Sequence, residues 1–223
     1  MNSTLYIVST PIGNMQDITF RAIEIFKNVD YIISEDTRET QKLLNFFEIS
    51  KPQISYRDEN HYKVLPKILD LLSNGCSLAL VTDRGTPLIS DPGFKLVKEI
   101  IKKGFNVDSI PGPSSVITAL TLSGLPSDRF IFLGFAPKSE KHRKDLFEKY
   151  GNLESTLIFF ESPNRITRFL EEAKSVLGNR NVCVAKELTK VNQEVYRFNL
   201  SELDSQNLDL RGEFVVLISK EGV

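Results

Sequence analysis

The chain has 223 residues, of which 41% are hydrophobic and 26% are charged, enough apolar material for one large core or two compact ones. No stretch approaches the roughly 20 apolar residues that cross a bilayer, and the N-terminus lacks the features of a signal peptide, so we expect a cytoplasmic protein without membrane contact. A formal net charge of −1 gives no overall attraction to nucleic acid, so any such site must be local.

The sequence gives no sign of a metal site. Cys76 and Cys183 lie beside strand-like apolar residues without a CxxC motif, and we predict that both are core thiols. His61 and His142 have no partner at ligand spacing and are predicted to be polar surface residues. We therefore expect no bound metal.

Short β-branched runs alternate with helical periodicity in the first half of the chain. The apolar runs predict strands at 5–8, 31–33, 54–56, 78–81 and 106–110. The helical spacing predicts intervening helices around 18–29, 43–47, 64–72 and 94–101. Ser90 or Asp91 is expected to cap the last of these helices, with Pro92 at its first position.

Strands joined through helices are expected to be parallel, so that the loops after them meet at one edge of the sheet, where ligands bind. Four loops of unusual composition follow predicted strands, at 9–14, 34–38, 82–87 and 110–115. A single such loop is more often an ordinary turn than a site. Four at one edge favour a binding site.

The second half of the chain predicts a separate, mixed α/β domain. Strands are expected at 130–133, 156–160, 182–185, 195–198 and 214–218, and helices at 139–150 and 163–176. The breaks between Pro111 and Asp128 suggest the boundary, so we assign one domain to residues 1–115 and another to residues 116–223. The predicted fold class is thus α/β, with a mostly parallel N-terminal sheet and a mixed C-terminal one.

The loops carry carboxylates, hydroxyls and backbone amides exposed by Gly and Pro. Neither GxxxxGK[ST] nor GxGxxG occurs, which disfavours a triphosphate or a dinucleotide. The groups that are present suit ribose hydroxyls, an adenine edge or a cationic centre. S-adenosylmethionine combines all three.

Eight motifs carry a resemblance that spans nearly the whole chain, from Tyr6 to Ile218. In order they are TPIGN, EDTR, DRGTPLISDPG, PGPSS, FIFLGFAP, ESPNR, KELTK and RGEFVVLI. Their order resembles the ribosomal RNA small subunit methyltransferase I family, which belongs to the tetrapyrrole methylases. The resemblance implies two α/β domains with S-adenosylmethionine in the cleft between them and a homodimer. It also implies methylation of a cytidine ribose 2′-hydroxyl in the decoding region of small-subunit ribosomal RNA.

The resemblance also implies which residues contact the cofactor. These are Pro11, Ile12, Gly13, Asp83, Gly85, Thr86, Pro87, Ser114, Ser115 and Phe160, with the backbone of 211–213 as a weaker candidate. The family usually has Ala at the positions of Arg84 and Ser115, and a His-rich segment at 57–61. A guanidinium would oppose the sulfonium, so Arg84 is expected to point towards substrate or solvent.

A ribose hydroxyl is a poor nucleophile, so a base or an alkoxide-stabilising group is expected. The candidates are Glu35, Asp36, Lys186, Glu187 and Lys190, and a lysine base would need a depressed pKa. Alternatively, Glu35 and Asp36 cap the following helix, and Lys186 and Glu187 form a packed ion pair.

The segment 138–149 is the candidate RNA contact, with an excess of two positive charges. The RNA-binding candidates are Arg38, Arg84, Lys138, Lys141, Arg143, Lys144 and Arg165. A solvated helix face with interleaved salt bridges is the alternative. Phe46, Phe47, Phe159 and Phe160 are predicted to lie in the core.

Two other functions remain open at this point. The first is a methylase of the same fold that acts on a small tetrapyrrole or corrinoid. The second is a non-catalytic module that binds an adenosine ligand. The whole-chain motif order and the basic segment favour the RNA enzyme.

Overall fold

The computed structural model describes residues 3–223, and the chain divides into two compact units, one ending at Ser114 and one running from Ser115 to Val223. Each unit contains one five-stranded sheet. The prediction of two α/β domains, the first with a parallel sheet and the second with a mixed sheet, is confirmed. Within residues 3–223, no helix is long and apolar enough to cross a membrane.

The first unit alternates strands and helices. Its strands are β1 (Thr4–Val8), β2 (Tyr31–Ser34), β3 (Gln53–Ser55), β4 (Leu78–Val81) and β5 (Asn106–Ile110). Its helices are α1 (Phe20–Asn28), α2 (Thr37–Phe46), α3 (His61–Ser73) and α4 (Phe94–Lys102), with short 3-10 turns at Met15–Asp17 and Asp58–Asn60. The strand order is β3-β2-β4-β1-β5, and every neighbouring pair is parallel.

Both faces of this sheet are covered because its strands carry apolar residues on both sides. In β1, Val8 packs with α1 and α2, whereas Leu5 packs with α3 and α4. Two buried layers result, one on each face. Since all five strands are parallel, their carboxyl ends lie at one edge, and the four loops of interest follow four of them.

The second unit begins with α5 (Ser115–Ser123), and its sheet contains both parallel and antiparallel strand pairs. Its strands are β6 (Phe130–Phe135), β7 (Thr156–Glu161), β8 (Asn181–Lys186), β9 (Glu194–Asn199) and β10 (Phe214–Ile218). Helices α6 (Glu140–Gly151) and α7 (Ile166–Leu177) and a 3-10 segment (Leu200–Ser205) complete it. Strands β6 and β7 are parallel, and the pairs β7-β10, β10-β8 and β8-β9 are antiparallel.

The start of α4 differs from the prediction. The helix begins at Phe94 and not at Pro92, and its N-cap is Gly93 with φ 126°. Leu88 and Ser90 also have positive φ angles, of 73° and 66°. The loop therefore turns through left-handed residues before the helix can start, which leaves Asp91 available for other contacts.

Several burial predictions were wrong. His61 is buried, with its Nδ1 2.9 Å from the hydroxyl of Tyr56. Phe46 is 60% exposed, although Phe159 is fully buried as predicted. Cys183 is buried as predicted, whereas Cys76 is only half-buried.

Candidate active site

The loops after β1 and β4 are joined by a backbone bridge. The N–H of Thr10 donates to the carbonyl of Gly85 at 2.8 Å, and the N–H of Gly85 donates back at 3.1 Å. The Thr10 hydroxyl also donates to the carbonyl of Thr82 at 3.3 Å. Gly85 has φ +80°, and an added Cβ would lie 3.2 Å from the side chain of Ile12. Glycine is therefore required where the two loops cross.

Hydroxyl groups connect these loops to the loop after β5. The Thr86 hydroxyl donates to the carbonyl of Pro113 at 3.0 Å, so it accepts from the Ser9 hydroxyl, also at 3.0 Å. A Cβ on Gly112 would lie 2.9 Å from the Cβ of Ser9, closer than real side chains approach. Three loops thus form one tightly packed framework.

The loop after β2 joins the same framework. The Thr82 hydroxyl donates to Glu35 Oε2 at 2.8 Å, and the N–H of Asp36 donates to Asp83 Oδ1 at 3.1 Å. Glu35 is half-buried and Asp83 is exposed. The prediction that four loops share one edge is confirmed.

Asp36 is the N-cap of α2. Its carboxylate accepts from the N–H of Arg38 at 2.9 Å and pairs with the Arg38 guanidinium at 2.5 Å and with Arg57 at 3.9 Å. The hydrogen bonds from Arg38 hold the pKa of Asp36 well below its usual range. Asp36 is therefore a poor proton acceptor, and the expectation that it is catalytic is replaced by the capping role.

The edge of the sheet is acidic next to the framework. Asp83 is exposed, but the surrounding loops partly desolvate its carboxylate, and this, together with the charges of Glu35 and Asp36, raises its pKa against the opposing effect of the hydrogen bond from the N–H of Asp36. Burial, the largest cause, also raises the pKa of Asp91 to about 6, and the charges of Glu35 and Asp83 act in the same direction. A cation bound nearby stabilises the ionised form of such carboxyl groups.

The residues at this edge fit an adenosine-type sulfonium cofactor. They offer carboxylate acceptors for hydroxyl or ammonium groups, hydroxyls, and a local field that favours positive charge. Pro11, Ile12 and Pro87 are buried and Gly13 is exposed, whereas Ser114 is half-buried at the end of the loop after β5. Arg84 is exposed, as predicted.

In the second unit, Phe160 lies at the end of β7 in an aromatic group. Its ring makes edge contacts with Phe132 and Phe135, with centroids 4.8 and 5.5 Å away. Phe160 is half-buried and Phe135 is 60% exposed, so the prediction that Phe160 lies in the core is wrong. This group provides an accessible aromatic surface.

Ser115, another residue expected to contact the cofactor, is the half-buried first residue of α5.

Arg143 does not lie on the surface, so the expectation that it clamps RNA was wrong. Its guanidinium binds both carboxylate oxygens of Glu172, at 2.5 and 2.7 Å, and both side chains are more than 90% buried. It also donates to the carbonyls of Pro137 and Lys138 at 2.9 and 2.7 Å. Arg143 thereby holds the loop that precedes α6.

Arg165 holds the same loop from the other side. Its guanidinium donates to the carbonyls of Ala136 and Pro137 at 2.7 and 2.9 Å, and it lies 3.2 Å from the buried carboxylate of Glu161. These bonds hold the Arg165 guanidinium against the protein, which argues against a contact between Arg165 and RNA. Of the remaining RNA-binding candidates, Lys138 and Lys141 are exposed and Lys144 pairs with Glu140 at 2.9 Å.

Lys186 does not have the lowered pKa that a lysine acting as a base needs. Lys186 is buried and pairs with Asp209 and, at 3.4 Å, with Glu194. The hydrogen bond from Asp209 raises the pKa of Lys186, the opposite of what a lysine base needs. Lys186 therefore stays protonated, and its ion-pair partners are not the predicted Glu187.

Glu187 and Lys190 brace the turn after β8. The carboxylate of Glu187 accepts from Lys190 and from the N–H of Glu213, at 2.8 and 2.9 Å, and Lys190 also pairs with Glu213 at 2.8 Å. Gly212, with φ +99°, leaves room for the Glu187 side chain, because an added Cβ would meet it at 2.6 Å. These contacts are structural and link KELTK to RGE.

Sequence reasoning missed the hydroxyl groups of Ser9, Thr10 and Thr82 and the carboxylate of Asp91. The available signal was their position, since Ser9 and Thr82 come directly after apolar strands and Thr10 follows Ser9. Asp91 precedes a proline, a pattern that predicts a helix cap, but α4 begins only at Phe94.

Comparison with known proteins decides the family. The model of the Tetrapyrrole (Corrin/Porphyrin) Methylases matches residues 4–204. The chain belongs to the tetrapyrrole methylase family. The resemblance that the eight motifs indicate is thus confirmed.

Curated relatives show which members of the tetrapyrrole methylase family this chain is similar to. A protein of Rickettsia prowazekii named "Ribosomal RNA small subunit methyltransferase I" is 48% identical over 221 residues, which cover 98% of this chain and 79% of that protein. A protein of the same name from Thermotoga maritima is 42% identical, covering 96% and 97%. Among solved structures, the cobalt precorrin-4 methyltransferase CbiF has a TM-score of 0.68 at 17% identity, covering 97% of this chain and 94% of that one. At that identity the likeness concerns the fold alone.

Proposed function

We propose that this tetrapyrrole methylase transfers a methyl group from S-adenosylmethionine to a cytidine ribose 2′-hydroxyl in the decoding region of small-subunit ribosomal RNA. The observation that carries the proposal is the near full-length similarity to relatives named as ribosomal RNA small subunit methyltransferase I. We further propose that it acts in the cytoplasm as a homodimer.

The cofactor-binding part of the proposal rests on the loop framework of the first unit. When bound, S-adenosylmethionine supplies a methyl group on a positively charged sulfur. The exposed carboxylate of Asp83 accepts hydrogen bonds from a hydroxyl or ammonium group of such a ligand, and its raised pKa marks a place where positive charge is favoured. The bridge between Thr10 and Gly85 fixes the neighbouring backbone before the ligand arrives.

Glu35 is the proposed proton acceptor for the ribose hydroxyl. It is half-buried at the end of β2, and the Thr82 hydroxyl holds one of its carboxylate oxygens at 2.8 Å. The other expected candidates are less suitable, because Asp36 caps α2 and Lys186 is held protonated. A fixed carboxylate contributes roughly 10²- to 10⁴-fold as a general base.

The test is methyl transfer from labelled S-adenosylmethionine to three acceptors, with the labelled position mapped. The acceptors are assembled small ribosomal subunits lacking the modification, their naked RNA, and a porphyrinogen mixture. We expect label on one cytidine ribose of the RNA. Label on the porphyrinogens alone would replace the proposal with a small-molecule methylase, and cofactor binding without transfer to any acceptor would replace it with a binding module.

Two variants separate binding from chemistry. Asp83→Asn should weaken S-adenosylmethionine binding in calorimetry by roughly 10-fold, the effect of about one charged hydrogen bond. Glu35→Gln should leave that affinity within about twofold and lower kcat at least 100-fold. Asp204→Asn, which alters an exposed carboxylate paired with Lys174, is the matched control and should change neither. Normal cofactor affinity in Asp83→Asn would show that its loop does not contact the cofactor.

A further inference from the structure

Helices α3 and α4 lie side by side on one face of the first unit's sheet. Each buries an apolar stripe against that sheet and turns its opposite side to solvent. We call the exposed aromatic, lysine and isoleucine positions of the two helices the α3/α4 face: Tyr62, Lys63 and Lys67 of α3 and Phe94, Lys95, Lys98, Ile101 and Lys102 of α4. Pro66, Asp70 and Ser73 of α3 are exposed beside them.

Two exposed aromatic rings lie at the end of this face nearest the candidate active site. The side chains of Tyr62 and Phe94 are 86% and 64% exposed. Their helix ends are joined through Asp58, which accepts from the N–H of Gly93 at 3.4 Å and lies 4.0 Å from the ammonium group of Lys95. Both helices start at the edge that carries the loop framework, so the rings flank that edge.

The rest of the face is positively charged. Its five lysines are opposed by Asp70, which is exposed on α3, and by Asp58, which lies 4.0 Å from Lys95, while Glu99 is half-buried. This local excess stands out in a chain whose formal net charge is −1. Lysines next to exposed aromatic rings are the combination that binds single-stranded nucleic acid, through phosphate contacts and base stacking.

The segment 138–149 is a weaker candidate for RNA binding than the α3/α4 face. Arg143 is buried against Glu172, and Lys144 pairs with Glu140. Removing Arg143 leaves the exposed charges of α6 nearly balanced. An enzyme acting on RNA then needs another cationic surface near the reacting edge.

We infer that the α3/α4 face binds a single-stranded segment of ribosomal RNA next to the target nucleotide. Tyr62 and Phe94 stack on unpaired bases, and Lys63, Lys95 and Lys98 contact the phosphates. This inference rests on the proposed function and adds the surface that captures the substrate.

The experiment measures binding of naked small-subunit ribosomal RNA, by fluorescence anisotropy, as a function of salt, and methyl transfer to unmodified small subunits. Tyr62→Ala with Phe94→Ala should weaken RNA binding by at least about 30-fold and raise KM, with kcat unchanged, because the stacking of two bases is lost. Tyr62→Phe keeps the ring and should bind normally. Lys63→Gln, Lys95→Gln and Lys98→Gln together should reduce the slope of log affinity against log salt by about 2.

The matched control makes the same change of charge elsewhere, as Lys27→Gln, Lys51→Gln and Lys220→Gln together, and should leave the slope unchanged. All changes on the face are at exposed positions, so S-adenosylmethionine affinity and thermal unfolding should match the unsubstituted protein.

The outcomes distinguish this inference from the proposed function. If the unsubstituted protein neither binds nor methylates the RNA, the proposed function fails. If it methylates RNA and the variants keep their KM and salt slope, the face inference alone is overturned. It is also overturned if the variants change the sedimentation of the protein without changing RNA binding, because the face would then join two copies of the chain.

Discussion

Replacing Arg143 tests whether this residue supports the fold or contacts RNA. In the structure its guanidinium makes two bonds to Glu172 and two to the carbonyls of Pro137 and Lys138. Removing one partner of a buried ion pair costs about 3–5 kcal/mol. Arg168 still lies 2.9 Å from Glu172 and offsets part of this, so Arg143→Met should lower the free energy of unfolding by about 3 kcal/mol.

Urea denaturation measures the effect. With a slope near 2 kcal/mol per molar urea, the midpoint should fall by about 1.5 M without a change in slope. The matched control, Lys141→Met, alters an exposed residue of the same helix and should stay within about 0.5 kcal/mol. A double replacement, Arg143→Met with Glu172→Met, should recover much of the loss because no unpaired charge is then buried.

The pH dependence supplies a further check. Arg143 lowers the pKa of Glu172, so the stability that the pair contributes is present above the ordinary carboxyl pKa and lost as the pH falls through the folded value. The difference between Arg143→Met and the unsubstituted protein should therefore shrink in acid. An Arg143→Met protein as stable as the control but weaker in RNA binding would refute the structural assignment.

Two other predictions concern the loop framework. The pKa of Asp91 is raised to about 6, so ionisation of this carboxyl lowers the free energy of unfolding as the pH rises from about 4 to 6. Asp91→Asn removes this loss and, after discounting for partial exposure, should raise the free energy of unfolding by about 1 kcal/mol at pH 7.5 in urea denaturation. Near pH 4 the same change should have no effect. An equal gain at both pH values would show that the cause is not ionisation. Gly112→Ala places a Cβ 2.9 Å from the Cβ of Ser9 and should cost about 1–3 kcal/mol and weaken cofactor binding in calorimetry. Adding Ser9→Gly removes the opposing Cβ and should restore part of both, since it also removes the hydroxyl that bonds to Thr86. No recovery of either quantity would contradict the packing argument.

The sequence by itself determined the alternation of strands and helices, and from it the parallel sheet and the meeting of four loops at one edge. These conclusions hold because hydrophobic periodicity is local and because helical crossovers make strands parallel. The order of eight motifs also determined the family, because each motif is a short local segment that can be recognised without knowing its contacts in the fold.

The tertiary structure decided which charged residues are available for chemistry. Arg143 looks like its lysine neighbours in sequence, yet its partner Glu172 lies 29 residues away and buries it. Lys186 is likewise held by Asp209, 23 residues away. Burial and ion pairing depend on such distant partners, so no local pattern indicates them, and they alone determine whether a guanidinium or an ammonium group can reach a substrate.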